Sequence, residues 1–167
     1  MDRVVKSMID TALDLTMLDG STRSLKDFEG KVVMVVNVAS RCGLSPQYET
    51  LEELQRKYQD RGFTVLGVPS GSFMQELKDD EAIGEYCSTT WGVTFPMTSK
   101  ADVNGRKRHE LYKTLVKTKD SKGLAGPVMW NFEKFVLLPS GEIHRFRPTT
   151  KPDAPEIIEL IESNLPR

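Results

Sequence analysis

The sequence predicts an α/β fold with a mixed central sheet flanked by helices, and three observations predict it. Residues 32–39, VVMVVNVA, and 63–68, FTVLGV, are short apolar runs rich in β-branched side chains, the composition of strands covered on both faces. Between them Leu51, Leu54 and Tyr58 recur at helical spacing, so strand, helix and strand form a right-handed parallel crossover. Residues 132–146, FEKFVLLPSGEIHRF, read as an antiparallel hairpin turning at Pro139, Ser140 and Gly141, which makes the sheet mixed.

The remaining elements follow in chain order. Residues 11–31, TALDLTMLDGSTRSLKDFEGK, alternate weakly and turn at Asp19-Gly20, the pattern of an N-terminal β-hairpin followed by a short helical turn. The helix beyond Pro46 stops at Gly62. A second helix is expected from Asp79 to Cys87, with its acids at the end where the dipole favours them. Leu111, Tyr112, Leu115 and Val116 mark a third, and Ile157, Ile158, Ile161 and Leu165 line one face of a C-terminal helix.

At 167 residues the chain suits one domain, spanning 1–167, with a sizeable core. Its 23 basic and 24 acidic residues leave a formal net charge of -1, which offers no broad basic surface to nucleic acid. The N-terminus, MDRVVKSMIDTALDL, carries acids early and has no long apolar stretch, so neither a signal peptide nor a membrane span is expected. The cytoplasm is the expected compartment, and structural disulfides are unusual there. The two cysteines, Cys42 and Cys87, are then either buried packing residues or redox groups.

Cys42 stands where the first long strand gives way to a helix, the place at which α/β sheets put ligands and reactive groups. A thiol there is expected to face unsatisfied N–H groups of the first helical turn, which favour thiolate over thiol. Gly43 leaves room for a small oxidant, and Pro46 suits a first-turn position. From position alone, Cys42 equally fits a small hydrophobe capping the core. Cys-Gly-Leu-Ser lacks the second thiol of a Cys-x-x-Cys motif, which disfavours dithiol–disulfide exchange. No metal site is expected: His109 opens HELYK, which fails the His-Glu-x-x-His pattern at Lys113, and His144 falls in a hairpin strand.

The segment NVASRCGLSPQYETLEEL resembles the active-site segment of the glutathione peroxidase family, with cysteine where some members carry selenocysteine. The likeness continues through GFTVLGVP, EAIGEYCSTTWGVTFPM, KADVNG and WNFEKFVLLPSGEIHRF, and so covers nearly the whole chain. The resemblance implies a thioredoxin-like fold and a peroxidase without a bound cofactor. It makes Cys42 the peroxidatic cysteine, attacking hydrogen peroxide or organic and lipid hydroperoxides. Trp130, Asn131 and Gln75 match the family's tryptophan, asparagine and glutamine beside the sulfur. Read without the family, they are a core aromatic, a turn residue and a solvated side chain. As neutral donors, the indole and two amides can hold a thiolate without deleting its nucleophilicity.

The loop departs from the family pattern. Where the family reads Phe-Pro-Cys-Asn-Gln-Phe, two further residues and Gln-Glu-Pro, this chain has Val68-Pro69-Ser70-Gly71-Ser72-Phe73-Met74-Gln75-Glu76-Leu77. One residue is missing, and the Asn-Gln pair has become Gly71-Ser72.

Cys87, on its own an interior helix residue, matches the resolving cysteine of the thioredoxin-dependent members. The resemblance therefore implies thioredoxin as reductant, with glutathione acting on Cys42 alone as the alternative. A sensor that passes oxidation to a partner's thiol is the rival from another class. The short 113–127 connection resembles that of monomeric members, so a monomer is expected.

Overall fold

The computed structural model describes residues 9–166. Residues 1–8, the start of the stretch read above for a leader, lie outside the described residues, as does residue 167. A two-stranded antiparallel ribbon comes first, β1 (Asp14–Thr16) and β2 (Thr22–Ser24), in the register Leu15↔Arg23. A 3-10 turn over Leu25–Phe28 follows, capped by the Ser24 side chain. The central sheet has the order β4-β3-β5-β6, built from β3 (Val32–Val38), β4 (Phe63–Pro69), β5 (Lys134–Leu137) and β6 (Ile143–Phe146). β3 runs parallel to β4 and antiparallel to β5, and β5 pairs antiparallel with β6. The sheet is mixed as expected, and the ribbon stands apart from it.

Every residue of β3 is buried, because successive side chains enter opposite cores. Val32, Met34, Val36 and Val38 pack with Tyr48, Leu51 and Tyr58 of α1 (Gln47–Tyr58) and with Ile157 and Ile161 of α4 (Pro155–Asn164). Val33 and Val35 pack on the other face with Leu111, Tyr112 and Leu115 of α3 (Glu110–Leu115), and with Leu15 and Phe28. Asn37, fully buried, breaks this apolar alternation at the end of the strand nearest Cys42.

Three helix ends differ from expectation. α1 stops at Tyr58, and a 3-10 turn carries the chain to Gly62, whose φ of +92° closes it. α2 (Asp80–Tyr86) ends before Cys87, and Cys87–Trp91 form one π-helical turn closed by Gly92 at φ +63°. Leu165 lies one residue beyond α4, because the backbone there turns extended.

The 117–129 connection is tied to the sheet by a buried ion pair that the sequence did not disclose. Arg145 donates to Glu133 and to the carbonyls of Thr118, Gly126 and Pro127. Arg147 bonds Asp120 and the same Glu133. A planar guanidinium can meet several acceptors at once, so a loop without regular structure is held in one place. His109 caps α3 through Nδ1, which accepts the Leu111 N–H. No group of three or more metal-ligating side chains is found among the described residues.

Candidate active site

Cys42 is a free thiol, 5% exposed, in a run of turns between β3 and α1. Its Sγ accepts a hydrogen bond from the Leu44 N–H at 3.4 Å. That donor precedes the helix, which begins only at Gln47. The expected first-turn donors are therefore replaced by a turn amide, because Ser45 N–H bonds Cys42 O and Gln47 N–H bonds Leu44 O. Pro46 correspondingly stands at the N-cap, without a side-chain cap bond. A Cβ at Gly43 would meet nothing within 4 Å, so the space beside the thiol is open.

The shortened loop still delivers Gln75 to this place. Its carbonyl accepts the Arg41 N–H at 2.8 Å, next to Cys42, and its side-chain Oε1 accepts from Asn131 Nδ2 at 3.1 Å. Within this loop Met74 takes φ +59° and is 93% exposed. A left-handed non-glycine residue costs roughly 1–2 kcal/mol, which the surrounding bonds must offset. Met74 N–H closes a turn on Gly71 O, and the Ser72 hydroxyl accepts the Val103 N–H. Gly71 leaves room for Lys100, whose Cε would lie 3.0 Å from a Cβ there. Lys100 Nζ passes on to bond Leu77 O.

Asn131 is fully buried and Trp130 is 39% exposed, so the tryptophan is not the core aromatic that a family-free reading suggests. Its ring packs on Phe73 of the same loop with centroids 5.2 Å apart. The structure thus brings Gln75, Asn131 and Trp130 together through the Gln75–Asn131 bond and the Phe73–Trp130 contact, with Gln75 bonded to the residue beside Cys42. It gives none of the three a hydrogen bond to Sγ among the described residues.

Cys87 is likewise a free thiol, 2% exposed. It lines a cleft with Met17, Leu18 and Phe95 on the side of the N-terminal ribbon. Burial pushes its thiol up to about 11, with the Tyr48 hydroxyl opposing and Glu76 reinforcing the shift. The folded value exceeds the ordinary 9.0, so this contribution to stability is fully present below pH 9 and lost as pH rises towards 11. Two pH units correspond to about 2.7 kcal/mol. Urea unfolding of the reduced protein at pH 9 and pH 11 is expected to show a loss of that order in excess of the Cys87→Ala variant.

Two titratable groups escaped the sequence reading. Glu76 Oε1 accepts the N–H groups of Ser40 and Leu77, while its buried Oε2 has no protein partner. Burial raises its pKa. Tyr48 stands between the two cysteine segments, its ring against Tyr86, Trp91 and Phe132, and its hydroxyl finds no oxygen or nitrogen partner. In the sequence, Tyr48 shows only as part of the segment NVASRCGLSPQYETLEEL, and Glu76 only as the neighbour of Gln75.

The sequence profile described as glutathione peroxidase matches residues 11–116. The chain belongs to the glutathione peroxidase family. Among curated relatives it is 45% identical over 166 residues to the thioredoxin/glutathione peroxidase BtuE of Escherichia coli K12, covering 87% of this chain and 91% of that protein. It is 45% identical over 153 residues to the glutathione peroxidase-like peroxiredoxin 2 of Saccharomyces cerevisiae, covering 88% and 93%. It is also 45% identical over 157 residues to the hydroperoxy fatty acid reductase gpx1 of a Synechocystis species, covering 89% and 90%. Among solved structures, the apo form of Trgpx superposes with a TM-score of 0.69 at 34% identity, covering 93% of this chain and 97% of that one. A thioredoxin-family thiol:disulfide interchange protein from Chlorobium tepidum TLS, 17% identical, gives a TM-score of 0.69 over 96% and 98%. This last likeness establishes the thioredoxin-like fold of this family member.

Proposed function

We propose that this glutathione peroxidase family member is a thiol peroxidase that reduces hydrogen peroxide and organic hydroperoxides and is recycled by a thioredoxin-type dithiol. The observation that carries the reading is a free Cys42 at the exit of a central strand, bonded by a backbone N–H and flanked by the Gln75–Asn131 amide pair. The relatives' names point to peroxide chemistry and include both reductants; Cys87 is what favours thioredoxin in this reading.

In the first step the Cys42 thiolate attacks the outer peroxide oxygen. The S–O bond forms as the O–O bond breaks, and the leaving oxygen takes up a proton to give water or an alcohol. Asn131 engages the oxygen of the Gln75 amide, leaving the Gln75 NH₂ without a protein acceptor among the described residues. That group and the Trp130 indole N–H are the neutral donors available to the leaving oxygen. In the second step the Cys87 sulfur attacks the Cys42 sulfenic acid, forming the S–S bond and releasing water, with the thiol proton completing that water. A thioredoxin dithiol then reduces the disulfide by exchange.

A disulfide requires Cα atoms within about 7 Å, and Cys87 is a buried residue of a π-helical turn, so this reading has the segment open to present the thiol. Its composition makes opening cheap: Gly84 weakens α2 by about 1 kcal/mol relative to alanine, and its extra Cβ would meet only Leu18 at 3.7 Å. The test is the product that one equivalent of hydrogen peroxide leaves on the reduced protein, followed by exposure to thioredoxin or glutathione. A Cys42–Cys87 disulfide that thioredoxin reduces supports the reading. Turnover with glutathione alone overturns the choice of reductant.

A further inference from the structure

Asn37 is the one polar residue in the apolar run of β3, and it is fully buried. A buried amide is costly unless its donors and acceptors are met, so its bonds indicate what it is for. Its Nδ2 donates to Trp130 O at 3.1 Å, and its Oδ1 accepts the Glu133 N–H at 3.1 Å. Its own carbonyl accepts the Phe132 N–H at 2.6 Å. One residue therefore holds both ends and the middle of the turn that carries Trp130 and Asn131. Phe132 within that turn has φ +67°, a conformation that persists in a non-glycine residue only where the surroundings over-determine it. The Phe132 ring is buried against Tyr48, with centroids 5.4 Å apart, so the turn is fixed from both sides.

We infer that Asn37 is a positioning residue that registers the Trp130–Asn131 turn against the strand leading to Cys42. The inference rests on the peroxidase reading above and adds a residue to it. The strand supplies the thiol five residues further on, and the Asn37 amide keeps the two side chains in step with it. Asn37 touches neither substrate nor sulfur; it acts through the turn.

The Asn37→Asp variant tests this with nearly no change of shape. The carboxylate can still accept the Glu133 N–H but has no proton for Trp130 O. Protonation restores the missing donor, and burial beside Glu133 raises the pKa at which that happens; Arg145 and Arg147, which neutralise Glu133, and Asp120, which bonds Arg147, are the other charges on this side of the sheet, while Lys134 pairs with Val36 and faces the opposite core. The single-turnover rate of Cys42 oxidation is expected to fall about tenfold at pH 8, within the roughly hundredfold that a 1 Å misplacement can cost. The ratio of variant to wild-type rate is then expected to rise about threefold or more by pH 6 as the donor returns. Trp130 emission, isolated by Trp91→Phe, should follow the same pH change in the variant and stay level in the parent. The emission reads the turn without any chemistry, so it still decides on Asn37 if Cys42 proves unreactive and the peroxidase reading itself fails. A rate ratio near unity, a loss that ignores pH, or emission that ignores pH overturns the role. Should the aspartate variant not fold, Asn37→Ser decides at a fully folded baseline: a tenfold loss supports the role and a wild-type rate overturns it.

Discussion

Replacing Cys42 by serine is expected to reduce peroxide turnover to the uncatalysed background, a loss of several orders of magnitude, as when an enzyme's only nucleophile is removed. The thiolate is the attacking species, and a serine hydroxyl is not ionised at neutral pH. Cys87 cannot take over. It is 2% exposed, and burial pushes its thiol up to about 11, so almost none is ionised where the enzyme works. The fold should tolerate the change, because a serine oxygen can still accept the Leu44 N–H that now bonds Sγ. Peroxide consumption with a thioredoxin system, together with a thermal unfolding curve, checks both halves of the expectation. Residual turnover above about a hundredth of wild type would move the nucleophile elsewhere.

The second large effect belongs to Cys87→Ser. Cys42 should still be oxidised once per protein, at close to the wild-type rate. Thioredoxin-dependent steady-state turnover should be lost, and excess peroxide should carry Cys42 on to sulfinic acid. The structure explains why the two steps separate. The Cys87 segment is anchored on both sides: Asp79 caps α2 by accepting the Ala82 N–H, and Lys100 N–H bonds Asp80. Beyond the π-helical turn, buried Glu52 accepts from the backbone N–H and hydroxyl of Thr94. Between these anchors lie Gly84 and the π-helical turn, so local opening can bring Cys87 forward while its ends stay in place. Full thioredoxin turnover in the Cys87→Ser protein would remove the resolving role.

The parts of this molecule that the sequence disclosed are those governed by local pattern. Strands β3 and β4 show as nearly continuous apolar runs because both faces are covered, and the β5–β6 hairpin shows through its turn residues. Cys42 is conspicuous because it follows such a strand. What stayed hidden depends on contacts between residues far apart in the chain. Asn37 looks like an interruption in an apolar run until Trp130, Phe132 and Glu133 are seen bonded to it. Arg145 and Glu133 lie in adjacent hairpin segments, yet nothing local shows that their pairing fastens the 117–129 connection. The left-handed backbone at Met74 is also hidden, since methionine carries no preference for φ +59°. The π-helical turn at Cys87 is equally silent, because its residues differ little in composition from an ordinary helix end.

The peroxidase account is tested most directly by the oxidation product of the fully reduced protein after one equivalent of hydrogen peroxide, read as intact mass and then as a peptide map. The account predicts a loss of two hydrogens and a peptide joining Cys42 to Cys87, reversed by thioredoxin. Oxygen retained on Cys42 with Cys87 still free would contradict the two-cysteine cycle, and an unchanged mass would contradict the peroxidase itself.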